Sequence, residues 1–430
     1  MRTPPEADSP FERSTDDLLE RMRGLHERLG DIYRVYVPAR RAHAYVIHDP
    51  QDIKRVLVSN HGNYVKGFGF DRVKVLLGKG LITSEGEFWR TQRLMMQPMF
   101  HRQVVTRFAA VIDAANDRLL ERWKGKAALG DPINVGSDMS ALALEVILQA
   151  LFGADLERLT EELGHDPFAF ITEEPGRGFS FASRLLELRK SVALLVRRRA
   201  AAARAVDPAE PDYLGLLLEA RDRTTGDAMT ERALIDEVMT LIIAAHDTTA
   251  SGLHACWYLI SQHPDVESLL HAEIDLGKDA KGQSLAVSEG WVYTRKVIAE
   301  ALRLYPPVWL LSRRAVDPDL LAGFEIPAGA NVYFSPYVVQ RDPKLWTDPD
   351  AFLPDRAEPD GASSAFARVP FSAGPRHCIG ETLALYEMCI HLQRVARHYR
   401  LTHAPAPRPE LEAGINLRIK SPVMMRLERR

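Results

Sequence analysis

The stretch PFSAGPRHCIG, residues 370–380, constrains this chain more than any other. Gly374, Pro375, Arg376 and Gly380 fence Cys378, one of three cysteines in 430 residues. Glycine permits close backbone approach and positive φ, so such a loop can turn several amides toward one atom. Amides aimed at sulfur favour a thiolate over a thiol. Arg376 suits a flanking anion, and Phe371 can shield the sulfur from water. An inert buried cysteine needs none of this. Together these are the requirements of a thiolate ligand to iron, its potential tuned by surrounding hydrogen bonds.

The remaining cysteines, Cys256 and Cys389, form no CxxC pair and are too few for a disulfide framework. That favours a reducing, cytoplasmic setting. The composition, 46% hydrophobic and 26% charged, is that of a globular protein. A net charge of −3 gives no general attraction to nucleic acid. MRTPPEADSPFERSTDD lacks the basic-then-apolar order of a signal peptide, and residues 1–13 read as a loose segment. No stretch approaches the ~20 apolar residues of a membrane span, so no anchor is expected.

Ser14-Thr15-Asp16 can cap a helix in which Leu18, Met22, Leu25 and Leu29 recur at helical spacing. IYRVYV (32–37) and AYVIHD (44–49) alternate like a hairpin. Helical patterns dominate from about residue 85 to 310, and AVDPAEPDY (205–213) reads as a polar loop. Strands and irregular coil follow, then a last helix over Glu381–Tyr399. The expectation is one domain over 1–430, mainly α with a small β region.

The full pattern around the cysteine, Phe371, Gly374, Arg376, Cys378 and Gly380, resembles the haem-binding signature of cytochromes P450. Other segments resemble that family in its order. Glu300 and Arg303 stand at i and i+3, one face of a helix, as in its ExxR motif. A surface pair of that kind contributes little, and its weight here comes from its place before the cysteine. Phe352, Pro354 and Arg356 match the segment whose arginine completes a structural triad with Glu300 and Arg303. LIIAAHDTTASGL (241–253) resembles the distal helix. By itself it reads as a core helix with a threonine bonded back to its own carbonyls, although burying Asp247 without a partner is costly. FWRTQR (88–93) matches a WxxxR motif that binds a haem propionate through Trp89 and Arg93. Arg313 matches another propionate position, with Arg314 as its competitor. Ala245 stands where glycine is usual, and Gln340 where histidine is usual.

The resemblance implies a single triangular-prism-like haem-thiolate domain without a fused reductase. Its cofactor is haem b, with Cys378 as the metal ligand, Trp89, Arg93, Arg313, Arg376, Phe371, Gly374, Gly380 and Ala244 around it, and O2 as co-substrate. Asp247 and Thr248 become the acid–alcohol pair that relays protons. Electrons come from NAD(P)H indirectly, through a separate ferredoxin or flavodoxin-type donor that Arg90, His101, Arg102, Arg368 and Arg394 are placed to receive. The implied chain is a monomeric monooxygenase of secondary metabolism. Pocket positions are Phe68, Phe70, Leu76, Ile82, Ile243, Ala244, Val308 and Leu310. This apolar lining suits a fatty acid, terpenoid, polyketide or aromatic metabolite, and the spelling of the distal helix resembles the fatty-acid hydroxylase subgroup. Two rival readings are a peroxide-driven peroxygenase, against which Asp247-Thr248 argues, and a non-catalytic thiolate-haem sensor.

Overall fold

The computed structural model describes residues 3–7, 17–173, 179–202, 211–277, 290–361, 364–403 and 409–430. The expected cap Ser14–Asp16 and most of the loop 205–213 lie outside them. Helix α1 (Leu18–Leu29) buries Leu18, Leu19, Met22, Leu25 and His26, so its apolar stripe follows the spacing read from the sequence. Residues 1–13 are not uniformly loose. Strand β1 (Glu6–Ala7) pairs in parallel with β2 (Ile32–Val37), an association across some 25 residues that no local pattern announces.

β2 and β3 (Ala42–Ile47) form the expected antiparallel hairpin, with Ile32 opposite Ile47. The chain then supplies β4 (Tyr64–Lys66), β5 (Ile133–Asn134), β6 (Leu311–Ala315), β7 (Asp319–Leu321), β8 (Phe324–Ile326) and β9 (Asn331–Phe334). A six-stranded sheet runs in the order β1-β2-β3-β9-β6-β4. In β6 the pleat sends alternate side chains to opposite faces. Arg313 is therefore buried and Arg314 exposed, so of the two only Arg313 turns inward.

The helical layer comprises α2 (Gly86–Met96), α3 (Ala109–Leu129), α4 (Val135–Phe152), α5 (Phe179–Ala202), α6 (Glu231–Gln262), α7 (Val292–Leu304) and α8 (Glu381–His398), among shorter helices. Thr230 caps α6, its side chain accepting from the Ala233 amide, and nearly every turn of this 32-residue helix is buried. α4, α5, α7 and α8 all pack on α6. α4 is also apolar enough to cross a membrane by length and composition, contrary to the sequence reading. Most of it is buried in the core, where it packs against α6.

After α8 the chain closes with β10 (Tyr399–Thr402), β11 (Leu411–Ala413), β12 (Leu417–Ile419) and β13 (Met424–Arg429), where β13 reaches back to β5 inside the helical region. The hairpin β11–β12 packs beside α6. Its position matters for the site.

Candidate functional site

Gly374 has φ +70°, and a Cβ there would sit 2.1 Å from the Leu57 carbonyl oxygen. Only glycine fits, and the backbone passes close enough to fix the loop against the segment Arg55–Ser59. Gly374→Ala is expected to cost on the order of 1–3 kcal/mol from backbone strain alone, with further loss from the clash. Thermal denaturation and haem uptake measure it.

The Cys378 amide donates to the Phe371 carbonyl at 2.9 Å, which closes the loop on itself. The amides of Gly380 and Glu381 donate to the sulfur, and Arg93 lies near enough to favour its charge. Burial nevertheless wins and pushes the Cys378 thiol up. The expectation that amides would make the thiolate is therefore only half met. They lower its cost, and a metal cation bonded to the sulfur would complete the deprotonation. Cys378 lies deep among protein atoms yet keeps substantial accessible area, so its surface opens on an internal hollow.

The opposite wall is legible on α6. Most of that helix is buried, but Ile243, Ala244, Ala245, Thr248 and Ser251 keep accessible surface in its middle. Ala244, Thr248 and Ser251 fall at i, i+4 and i+7, one stripe of the helix. The Thr248 hydroxyl donates to the Ala244 carbonyl at 2.7 Å, the back-bonding expected of a mid-helix threonine. Asp247 sits off the stripe and its burial is compensated. Asn416 Nδ2 donates to one carboxylate oxygen at 2.5 Å, and Arg418 of β12 forms an ion pair with the other. Neither partner carried a signal in the sequence. The Ala245 methyl joins an apolar cluster with Ile243, Ile379 and Leu383.

The cationic residues also converge. Arg376 lays its guanidinium 3.7 Å from the centroid of the Trp89 ring, donates to the Ser84 carbonyl and pairs with Glu85. Arg93, one turn after Trp89, donates to the His377 carbonyl at 2.9 Å. Lys66 of β4 stands directly across from Arg313 of β6, and like charges in opposed positions destabilise a sheet. Burial, and then Arg313 and Arg376, hold Lys66 far below the usual lysine range, while burial and then Arg376 bring Arg313 down to about 10. Three deep basic groups, Lys66, Arg313 and Arg376, share the carboxylate of Glu85. That arrangement fits a ligand bearing two carboxylates, as haem does, beside a sulfur prepared for iron. Lys66 and Glu85 went unnoticed in the sequence because no local motif contains them.

The structural triad assembles as expected. Glu300 accepts from Arg303 at 2.7 and 2.8 Å and from Arg356 at 2.9 Å. Arg303 donates further to the carbonyls of Gln340, Pro349 and Ala351, while Arg356 reaches those of Thr347, Asp348 and Ala351. Gln340 is buried and has its own task. Its amide nitrogen donates to the carbonyls of Leu302 and Arg303, and its oxygen accepts from Val369, just before the cysteine loop.

Among the expected pocket residues, Leu76 and Ile243 pack into one apolar cluster, and Ile82 and Val308 are half-buried. Leu310 packs instead with the sheet cluster. The Phe70 ring lies 4.6 Å from Lys66 Nζ, and Phe68 is exposed beneath the Arg40 guanidinium. The expected basic docking face is diluted. Arg90, Arg368 and Arg394 already pair with Glu87, Glu358, and Asp113 with Asp117.

The sequence model of the family described as Cytochrome P450 matches residues 10–173 and 182–425. Cyclooctatin synthase of Streptomyces melanosporofaciens is 32% identical over 390 residues, which cover 85% of this chain and 83% of that protein. Pentalenene oxygenase of Streptomyces avermitilis is 30% identical over 397 residues, covering 87% and 85%. The solved haem domain of cytochrome P450DA superposes with a TM-score of 0.83 at 20% identity, over 100% of this chain and 98% of that one. A sulfur on a shaped loop, a distal helix facing it and relatives of this kind leave one conclusion: the chain belongs to the cytochrome P450 family and is a haem- and O2-using monooxygenase.

Proposed function

We propose that the protein hydroxylates a terpenoid or similarly apolar small molecule, drawing electrons from NAD(P)H through a separate ferredoxin or flavodoxin-type partner. The carrying observation is the Cys378 sulfur, deep but accessible, with two amides directed at it and the positive charge of Arg93 nearby. Haem, when bound, supplies the reductive activation of O2 and the transfer of one oxygen atom into a C–H bond. Every other contribution belongs to the chain. Cys378 would hold the iron, with its thiolate donating electron density to the metal. Arg313, Arg376, Lys66 and Arg93 would neutralise the propionates and the Trp89 indole would help orient one, and arginine suits a carboxylate because its donors are planar and forked. Glu300, Arg303 and Arg356 lock the backbone that leads into the cysteine loop.

Asp247 and Thr248 manage protons on the distal side. Thr248 Oγ1 donates its hydrogen to the Ala244 carbonyl and remains free to accept a hydrogen bond. Asp247 is held by Arg418 and Asn416, which fix its carboxylate next to Thr248 in the chain. The substrate class is supported by the apolar lining and by the relatives cyclooctatin synthase and pentalenene oxygenase, at about 30% identity.

Turnover with a surrogate ferredoxin system under 18O2 tests the reading. One labelled atom is expected in the product, and product formed only with added peroxide would replace this function by a peroxygenase. Thr248→Ala should raise hydrogen peroxide release and lower product per NADPH consumed. Unchanged coupling would remove Thr248 from proton handling.

A further inference from the structure

The stripe of α6 that faces the hollow continues upstream. Counting back from Thr248 and Ala244 in steps of three and four gives Thr240 and Glu237, about 6 and 10 Å from Ala244 along the axis at 1.5 Å per residue. Both are fully covered, and the segment Gly78–Leu81 covers them. The Lys79 amide donates to Asp236 at 2.7 Å and the Leu81 amide to Glu237 Oε2 at 2.9 Å. A Cβ on Gly80 would lie 2.1 Å from Thr240 Oγ1, and one on Gly78 would lie 2.2 Å from Asp236 Oδ1. The segment thus rests directly on the stripe.

Contact is close, yet polar pairing is incomplete. Glu237 Oε1 and Thr240 Oγ1 are both buried without a hydrogen-bond partner. Each such group costs about 1–3 kcal/mol, and native interiors rarely leave two within one helical turn. Asp236 beside them is already engaged with Arg189. The unpaired atoms therefore stand on the face that continues into the hollow, beneath a glycine-containing segment that is tied to α6 through the Lys79 and Leu81 amides and otherwise bonded to neighbouring residues of its own loop, Lys74, Thr83 and Ser84.

We propose that Glu237 and Thr240 are specificity-determining residues at the polar end of the substrate pocket, and that the substrate is an apolar molecule already bearing a hydroxyl group. A hydroxyl both donates and accepts, so one such group can pair with the carboxyl and the threonine together. It enters as the Gly78–Leu81 segment lifts, with its apolar body along Ala244 and Thr248. Burial raises the Glu237 carboxyl to about 8, which keeps it mostly protonated at neutral pH and favours a neutral partner over an ion. The substrate must then come from a reaction that has already oxygenated or hydrated the hydrocarbon skeleton.

This inference rests on the monooxygenase reading above. The test is spin-shift titration of the haem-loaded protein with matched probes, a cyclic terpene hydrocarbon and its monoalcohol. The wild type should bind the alcohol about ten-fold more tightly, the worth of a good hydrogen bond. Thr240→Val keeps the shape and removes the hydroxyl, and Glu237→Leu removes the carboxyl. Each should reduce the preference to two- or three-fold while leaving hydrocarbon affinity within two-fold of wild type. Equal affinity of the wild type for both probes overturns the proposal, as does a full preference in both variants. In those cases a normal thiolate carbonyl spectrum leaves the monooxygenase reading intact, whereas a wild type that takes up no haem overturns both.

Discussion

Cys378→His is expected to abolish monooxygenase turnover while leaving a folded protein. The loop is held by the Phe371 carbonyl, the Gly374 turn and the Arg376–Glu85 pair, none of which uses the sulfur. What disappears is the soft anionic ligand. Imidazole can bind iron, so haem uptake should persist in part, but a neutral donor does not supply the electron density of a thiolate. The reduced carbonyl complex should lose its red-shifted absorption, and product formation should fall to background. A carbonyl spectrum identical to wild type would remove Cys378 as the ligand.

The largest stability effect should come from Glu300→Gln. Glu300 is 3% exposed and Arg303 0%, and Arg356 is bonded to the same carboxylate. Neutralising the acid strands two guanidinium groups in the interior, and breaking a buried pair in this way costs about 3–5 kcal/mol. That is a large share of the ~5–15 kcal/mol that usually holds a domain together. Burial raises the Glu300 carboxyl, but the two arginines outweigh it and hold it below the ordinary value. A group lowered in this way stabilises the fold above its unfolded pKa, and that contribution is lost as pH falls through the folded one. The variant should therefore melt well below wild type at neutral pH and show a flatter acid limb. Glu87→Gln, which removes an exposed partner of Arg90, is the control and should change stability by less than about 1 kcal/mol. Similar melting of both variants would deny the triad its structural role.

Several of these parts were readable because they are local. The cysteine loop needs glycine at one backbone position, and the sequence places Gly374 there. Trp89 with Arg93, and Glu300 with Arg303, lie on single helix faces whose spacing sets their proximity. The stripe Ala244, Thr248 and Ser251 likewise follows from the helical repeat. The amides that favour the Cys378 thiolate were readable because they are local, whereas the burial that opposes them comes from the whole surrounding fold.

The sequence by itself therefore pointed to the class of fold, the proposed iron ligand with its loop, and the distal helix, since those motifs depend on spacings of a few residues. Only the tertiary structure decided that Arg313 and not Arg314 turns inward, that Lys66 and Glu85 join it, and that Asn416 and Arg418 hold Asp247. Those pairings join segments from about 20 to 250 residues apart. Strand pairing and close packing bring them together, and no periodicity along the chain encodes which distant charges will meet.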